Sequence, residues 1–167
     1  VIANIDYNDD GKAILSELND NAERVEVSYS DTEDKASVKF YRDYDVDAYR
    51  EEEYSYGKYR GVYKLTQKEI TVCDDCELSI ETWEFNDDEL LERHTSPAGI
   101  ITEYSYDDED RKISQTNAVG TAEEQTTTYT WNDTHNQIET ITTPTEVTSY
   151  TFDDDGNRLT TTITPVQ

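Results

Sequence analysis

Asp6, Asn8, Asp10, Gly11 and Glu17 stand in "DYNDDGKAILSE" at the spacing D-x-N-x-D-G, five residues, then Glu. In an EF-hand loop that spacing gathers oxygen ligands around calcium, glycine makes the sharp turn, and the last Glu folds back as a bidentate ligand. A helix must lead into such a loop. Here only "VIANI" precedes Asp6, and it alternates as a strand does. If residues 12–18 are also extended, Glu17 lies roughly 16–20 Å past the acidic turn, at about 3.3 Å per residue, beyond reach of an ion. "KAILSEL" has local helix propensity, so calcium on Asp6, Asn8, Asp10 and Glu17 stays as the alternative. The expectation is no metal site and no cofactor. Cys73 and Cys76 form "VCDDCE". The two intervening aspartates oppose thiolate formation, and one C-x-x-C supplies half of a zinc site. The pair reads as a tight turn that a local disulfide can close, which points to an oxidising compartment. His94 and His135 have no neighbouring ligand set and read as turn or surface residues. No nucleophile elbow and no phosphate-binding glycine loop is present, and no carboxylate pair stands out among so many acids. The chain is expected not to be an enzyme. Asn132 heads the sequon Asn-Asp-Thr, which matters only in a glycosylating host.

The elements that must carry these residues are read from a repeat. The segments "NIDYNDDGK", "EVSYSDTEDK", "YSYGKYRG", "WEFNDDEL", "YSYDDEDRK", "YTWNDTHNQ" and "YTFDDDGNR" each set an aromatic before a polar turn cluster. The anchors are Tyr7, Tyr29, Tyr56, Phe85, Tyr106, Trp131 and Phe152, separated by 22, 27, 29, 21, 25 and 21 residues. A second apolar residue precedes each anchor by two: Ile5, Val27, Tyr54, Trp83, Tyr104, Tyr129 and Tyr150. Spacing of two puts both side chains on one face of a strand, whereas on a helix they diverge by about 200°. Asp, Asn and Gly after each anchor tolerate left-handed backbone and cap their own turns through side-chain oxygens. A further β-rich run follows, such as "RLTTTIT" or "QIETITT". Each copy therefore reads as strand, turn, strand. The fold class is all-β: an antiparallel meander of about seven repeated β-hairpins in a curved sheet or β-solenoid, with helix nearly absent. The copies occupy roughly residues 1–22, 23–48, 49–76, 77–99, 100–123, 124–144 and 145–167, a single array.

Composition bounds the function. The 167 residues hold 39 acidic and 14 basic side chains, a net charge of −25. Nucleic acid and anionic membrane are repelled by such a surface. No apolar stretch is long enough for a membrane-spanning helix. Thirteen Tyr, two Trp and three Phe separate the chain from acidic disordered sequences, and the expected core is Tyr, Trp, Val, Ile and Thr. The start at Val1, without a Met, and the end at Gln167 read as a processed chain or a fragment of something longer.

"YSYDDEDRKI", "YTFDDDGNRLTTTIT" and "DYNDDGKAIL" resemble the YD repeat of the RHS family: aromatic-x-Tyr-Asp, two spacers, Gly, a polar or basic residue, then Leu or Ile. The fullest copy is Tyr150, Phe152, Asp153, Gly156, Asn157, Arg158 and Leu159. The likeness covers all seven copies. It is closest over residues 100–165 and loosest over 43–81, where Gly57 replaces the Asp. Gly11 and Gly156 occupy the glycine position. Glu33, Glu89, Asp110 or His135 stand near it elsewhere, so those turns are expected to differ. The resemblance implies a non-catalytic role. RHS repeats form β-ribbons that wind into hollow shells, around a toxic C-terminal domain in bacteria, or within adhesive ectodomains of teneurin-like proteins. This implies a wall or part of a shell, secreted or at the cell surface, with further repeats and an enclosed effector domain as partners. The alternative is an adhesion module binding carbohydrate or protein through exposed Tyr and Trp, with or without calcium.

Overall fold

The computed structural model describes residues 3–18, 23–32, 34–42, 45, 47–72 and 77–166. Cys73, Cys76 and Glu33 lie outside them. Fourteen strands are present among the described residues: β1 (Ala3–Tyr7), β2 (Ala13–Leu18), β3 (Glu23–Tyr29), β4 (Lys35–Arg42), β5 (Arg50–Tyr59), β6 (Val62–Val72), β7 (Glu77–Phe85), β8 (Leu91–Thr95), β9 (Ile101–Tyr106), β10 (Lys112–Asn117), β11 (Gln125–Asn132), β12 (Gln137–Thr142), β13 (Glu146–Phe152) and β14 (Arg158–Pro165). No helix occurs among them. The architecture is an all-β antiparallel meander. The chain divides into two units, Val1–Trp83 with Ser96–Ala98, and Glu84–Thr95 with Gly99–Gln167. Within each unit the strands lie in chain order, each beside its sequence neighbours.

"KAILSEL" is strand, not helix. β2 pairs with β1 through Leu15↔Asp6 and with β3 through Leu15↔Glu26. Seven residues of helix propensity do not nucleate a helix alone, whereas two flanking ladders satisfy the backbone of β2 on both sides.

The expected core is also corrected. Among the described residues only Ala36, 9% exposed, and Glu52, 4% exposed, are buried. Each unit is one layer of sheet, so its rings are half-covered by lateral neighbours on the same face and not by an opposing layer. The two faces still differ. In the second unit the residues between the paired aromatics stand exposed, and hydroxyls meet directly across the ladder. Ser105 and Ser114 are 2.6 Å apart, Thr116 and Thr126 2.9 Å, Thr130 and Thr140 2.7 Å, and Thr151 and Thr160 2.7 Å. Such pairs contribute roughly 0.2–1 kcal/mol each. The aromatic faces are covered by cations. Among the described residues, nine Lys and Arg side chains place their charge 3.9–5.7 Å from a ring centroid, Arg24 over Tyr41 being nearest. The few basic residues thus cover the apolar face with their stems and ring contacts.

Candidate functional site

The repeated chemistry of the chain lies in its turns. The residue after the anchor is Asn8, Asn86, Asp107, Asn132 or Asp153. In four of these, one side-chain oxygen accepts the N–H groups two and four residues on. Asn8 takes those of Asp10 and Lys12 at 3.1 and 2.9 Å, and Asn86 those of Asp88 and Leu90 at 3.1 and 2.8 Å. Asp107 takes those of Glu109 and Arg111 at 3.1 and 2.9 Å, and Asp153 those of Asp155 and Asn157 at 3.1 and 2.7 Å. The third residue on then donates back to the capping residue's carbonyl and has positive φ: Gly11 at 75°, Glu89 at 67°, Asp110 at 64° and Gly156 at 81°. Glu89 and Asp110 therefore adopt the glycine geometry, contrary to the expected difference. Five hydrogen-bonding groups in one turn outweigh the cost of the left-handed backbone. The Asn132 turn does differ. Its oxygen accepts from Thr134 and His135, and the positive φ falls one residue later, 50° at Asn136. Asp110→Gly is expected to stabilise the protein by about 0.5 kcal/mol, because relief of the left-handed strain exceeds the entropy that glycine adds to the unfolded chain. A lower urea midpoint for this variant would contradict that account.

These bonds bear on the calcium alternative. The Asn8 oxygen is engaged by Asp10 and Lys12, while Glu17 sits in β2, opposite Asn4 and Arg24. The strand carries Glu17 away from Asp6, Asn8 and Asp10, and the four are not gathered into a ligand set. Among the described residues no group of three or more His, Cys, Asp or Glu is placed to hold a metal ion.

Sequence reasoning missed how the anchors lock. In five hairpins the ladder slips by one residue beside the anchor, leaving Ile14, Thr66, Ile113, Glu139 and Leu159 without a directly opposed partner. Such bulges bend a strand and re-aim its side chains. The anchor of one hairpin then reaches the bulge of the hairpin before it. The Tyr29 hydroxyl donates to the Ala13 carbonyl at 3.2 Å, and the Trp131 indole N–H to the Lys112 carbonyl at 3.0 Å. Ala13 and Lys112 are the residues paired with the preceding anchors, Tyr7 and Tyr106. Tyr106 makes the same bond to Leu91 at 2.8 Å. Phe152 has no donor; it packs on His135 at 6.2 Å, and Gln137 instead donates to the Gly156 carbonyl at 2.8 Å. Tyr56, on β5, lies opposite the bulge of β6, and its N–H bonds the Asp34 carbonyl at 2.7 Å. Tyr7 is 60% exposed, and Phe85 ends β7.

Two charge clusters add to this lock. Arg111 reaches Asp107 at 2.8 Å, Glu109 at 3.1 Å and Asp133 at 3.1 Å, while stacking on Trp131. Burial pushes the Asp107 carboxyl up, but hydrogen bonds from the Arg111 backbone and guanidinium outweigh it and hold the group below the ordinary carboxylate range. The side-chain and backbone bonds from Asn157 lower Asp153 in the same way. In the first unit, Glu52 is the buried charge. It binds the Arg50 guanidinium and the Tyr54 hydroxyl, with the Lys68 ammonium at 3.6 Å. The spacing Arg50, Glu52, Tyr54 puts all three on one strand face, the one sequence signal that could have revealed it.

Solved structures share this arrangement of hairpins. The chain superimposes over 90% of its length on the Photorhabdus luminescens Tc holotoxin pore, with TM-score 0.54 and 12% identity. It matches TcdB2-TccC3 over 95% of its length with TM-score 0.55 and 10% identity, and the form without the hypervariable C-terminal region over 90% with 0.53 and 14%. The fold is RHS-like. The RHS-like chain spans about a tenth of the length of those chains, 9–10% of each. No family model and no curated protein matches its sequence. The likeness to those chains lies in the hairpin geometry, at 10–14% identity.

Proposed function

We propose that this chain is a non-catalytic structural module, one stretch of a secreted or cell-surface β-wall that encloses or presents another domain. The observation that carries the reading is the superposition of 90–95% of the chain on a tenth of the Tc toxin chains. The chemistry of the turns agrees with it. The capping oxygens, the anchor donors and the Arg111 cluster are all engaged in holding hairpins together. Large apolar residues also remain exposed, Ile5 at 49%, Leu159 at 64% and Ile163 at 61%, as suits a sheet that more protein covers. Further repeats are the partners this implies, together with the enclosed domain.

The test is protection. In the longer protein that carries these repeats, the neighbouring domain is challenged with protease, with intact repeats and with Trp131→Ala. Slow cleavage that becomes fast in the variant supports the wall. Equal cleavage with the repeats intact, disrupted or deleted overturns it.

A further inference from the structure

The third hairpin departs from the others, and the departure shapes a cavity. Gly57 stands where the capping residue belongs. β5 and β6 run on through Gly57↔Lys64, Lys58↔Tyr63 and Tyr59↔Val62 before closing at Arg60 and Gly61, whose φ values are 44° and 94°. A Cβ on Gly57 would meet the Tyr59 ring at 2.8 Å and the Thr66 methyl at 3.0 Å, so any other residue there must displace those side chains. The ladder itself does not require the extension, since the four other bulged hairpins close at the bulge or one pair beyond it. Its effect is to bring Tyr63 over the preceding turn, with its hydroxyl 3.4 Å from the Thr32 carbonyl. Tyr29, Tyr56 and Tyr63 then surround a cavity of about 340 Å³ that includes buried Ala36, with Lys12 and Lys35 beside it.

Two features define what fits. The walls are three aromatic rings contributed by β3, β5 and β6, suited to stacking against a flat apolar face. Among the described residues the charged lining is cationic, Lys12 and Lys35, in a chain with 39 acids and 14 bases. Other cavities carry carboxylates, such as Glu26, or Asp88, Glu92, Asp107 and Asp110. Lys35 is held 2.7 Å from Glu53, which offsets part of its charge, and Lys12 lies 5.1 Å above the Tyr29 ring, so Lys12 is the ammonium set against the aromatic wall. The net charge of −25 disfavours a polyanion but opposes a single charge far less. We propose that this cavity binds a small monocarboxylate with one flat apolar face, either a sugar acid or an aromatic acid. The site is independent of the wall reading.

Titration calorimetry and saturation-transfer NMR on the whole chain would use sodium glucuronate and sodium benzoate, with glucose and benzyl alcohol as neutral counterparts. At least one acid is expected to saturate the protein, about tenfold more tightly than its neutral counterpart. Tyr63→Ala and Lys12→Gln should each weaken it by about fivefold or more. Saturation by glucuronate alone identifies a sugar acid, and by benzoate alone an aromatic acid. Tyr63 lies on the extension, outside the anchor positions. Should Tyr63→Ala lose the wild-type circular dichroism, Lys12→Gln decides alone. Equal binding of acid and neutral compound, no saturation by either acid, or wild-type binding in folded variants would overturn the proposal.

Discussion

Replacing Glu52 with alanine is expected to lower the stability of the first unit by about 2–3 kcal/mol at pH 7. The side chain is 6% exposed, and its carboxylate is shared by Arg50, Lys68 and the Tyr54 hydroxyl. Removal leaves two cations and a phenol facing one another without their common acceptor. Loss of one partner of a buried pair costs about 3–5 kcal/mol. The lower value follows because the Arg50 and Lys68 side chains are 39% and 24% exposed, so water screens part of the repulsion. Glu52→Gln keeps the shape and should cost about half as much. The same cluster sets the limits of stability with pH. Burial raises the Glu52 pKa, but Tyr54, Lys68 and Arg50 together bring it below the ordinary value. Its contribution is complete above the unfolded value of about 4.3 and is lost as pH falls through the folded one. Tyr54 behaves in the opposite sense. Burial and then Glu52 push it from 10.0 to about 12, so its contribution is complete below pH 10 and disappears as pH rises toward 12. Urea midpoints at pH 3–5, 7 and 10–12 measure both limbs. A Glu52→Ala midpoint equal to wild type at pH 7, or an unchanged acid limb in Glu52→Gln, would show that the cluster carries no such energy.

Trp131→Ala should cost about 2–3 kcal/mol, and Trp131→Phe about 1 kcal/mol. The alanine variant loses the ring, the donor to Lys112 and the platform under Arg111. The phenylalanine variant loses only the donor, leaving the Lys112 carbonyl at the bulge without it. The ring is half-buried, which keeps the cost below that of a core tryptophan. Hydrogen exchange should show the lost protection concentrated in β10, β11 and β12. A Trp131→Phe variant as stable as wild type would mean that the indole bond does not join these hairpins.

Much of this architecture was legible in the residues themselves. Pairs two apart, such as Tyr129 and Trp131, are spaced for one strand face, and the acidic clusters after them are spaced for turns. Both signals are local, and both persist in the structure. Reading Glu89 and Asp110 as different turns failed because the capping residue three positions earlier, through its side-chain oxygen and its carbonyl, fixes the backbone whatever side chain follows. "KAILSEL" misled for the converse reason: its propensity is weaker than two ladders. Glu52 was hidden among three consecutive glutamates, and burial singles out one of them only once β4 and β6 lie on either side.

The sequence by itself determined strand, turn and which side of each strand is aromatic, because those depend on neighbours two to five residues apart. The tertiary structure decided where the ladder slips, which carbonyl receives each anchor's donor, and that Tyr29, Tyr56 and Tyr63 meet around one cavity. The hydrogen-bonded partners lie 15, 16, 19 or 31 residues apart in the chain. Their meeting is fixed by register and bulge, which no local pattern encodes.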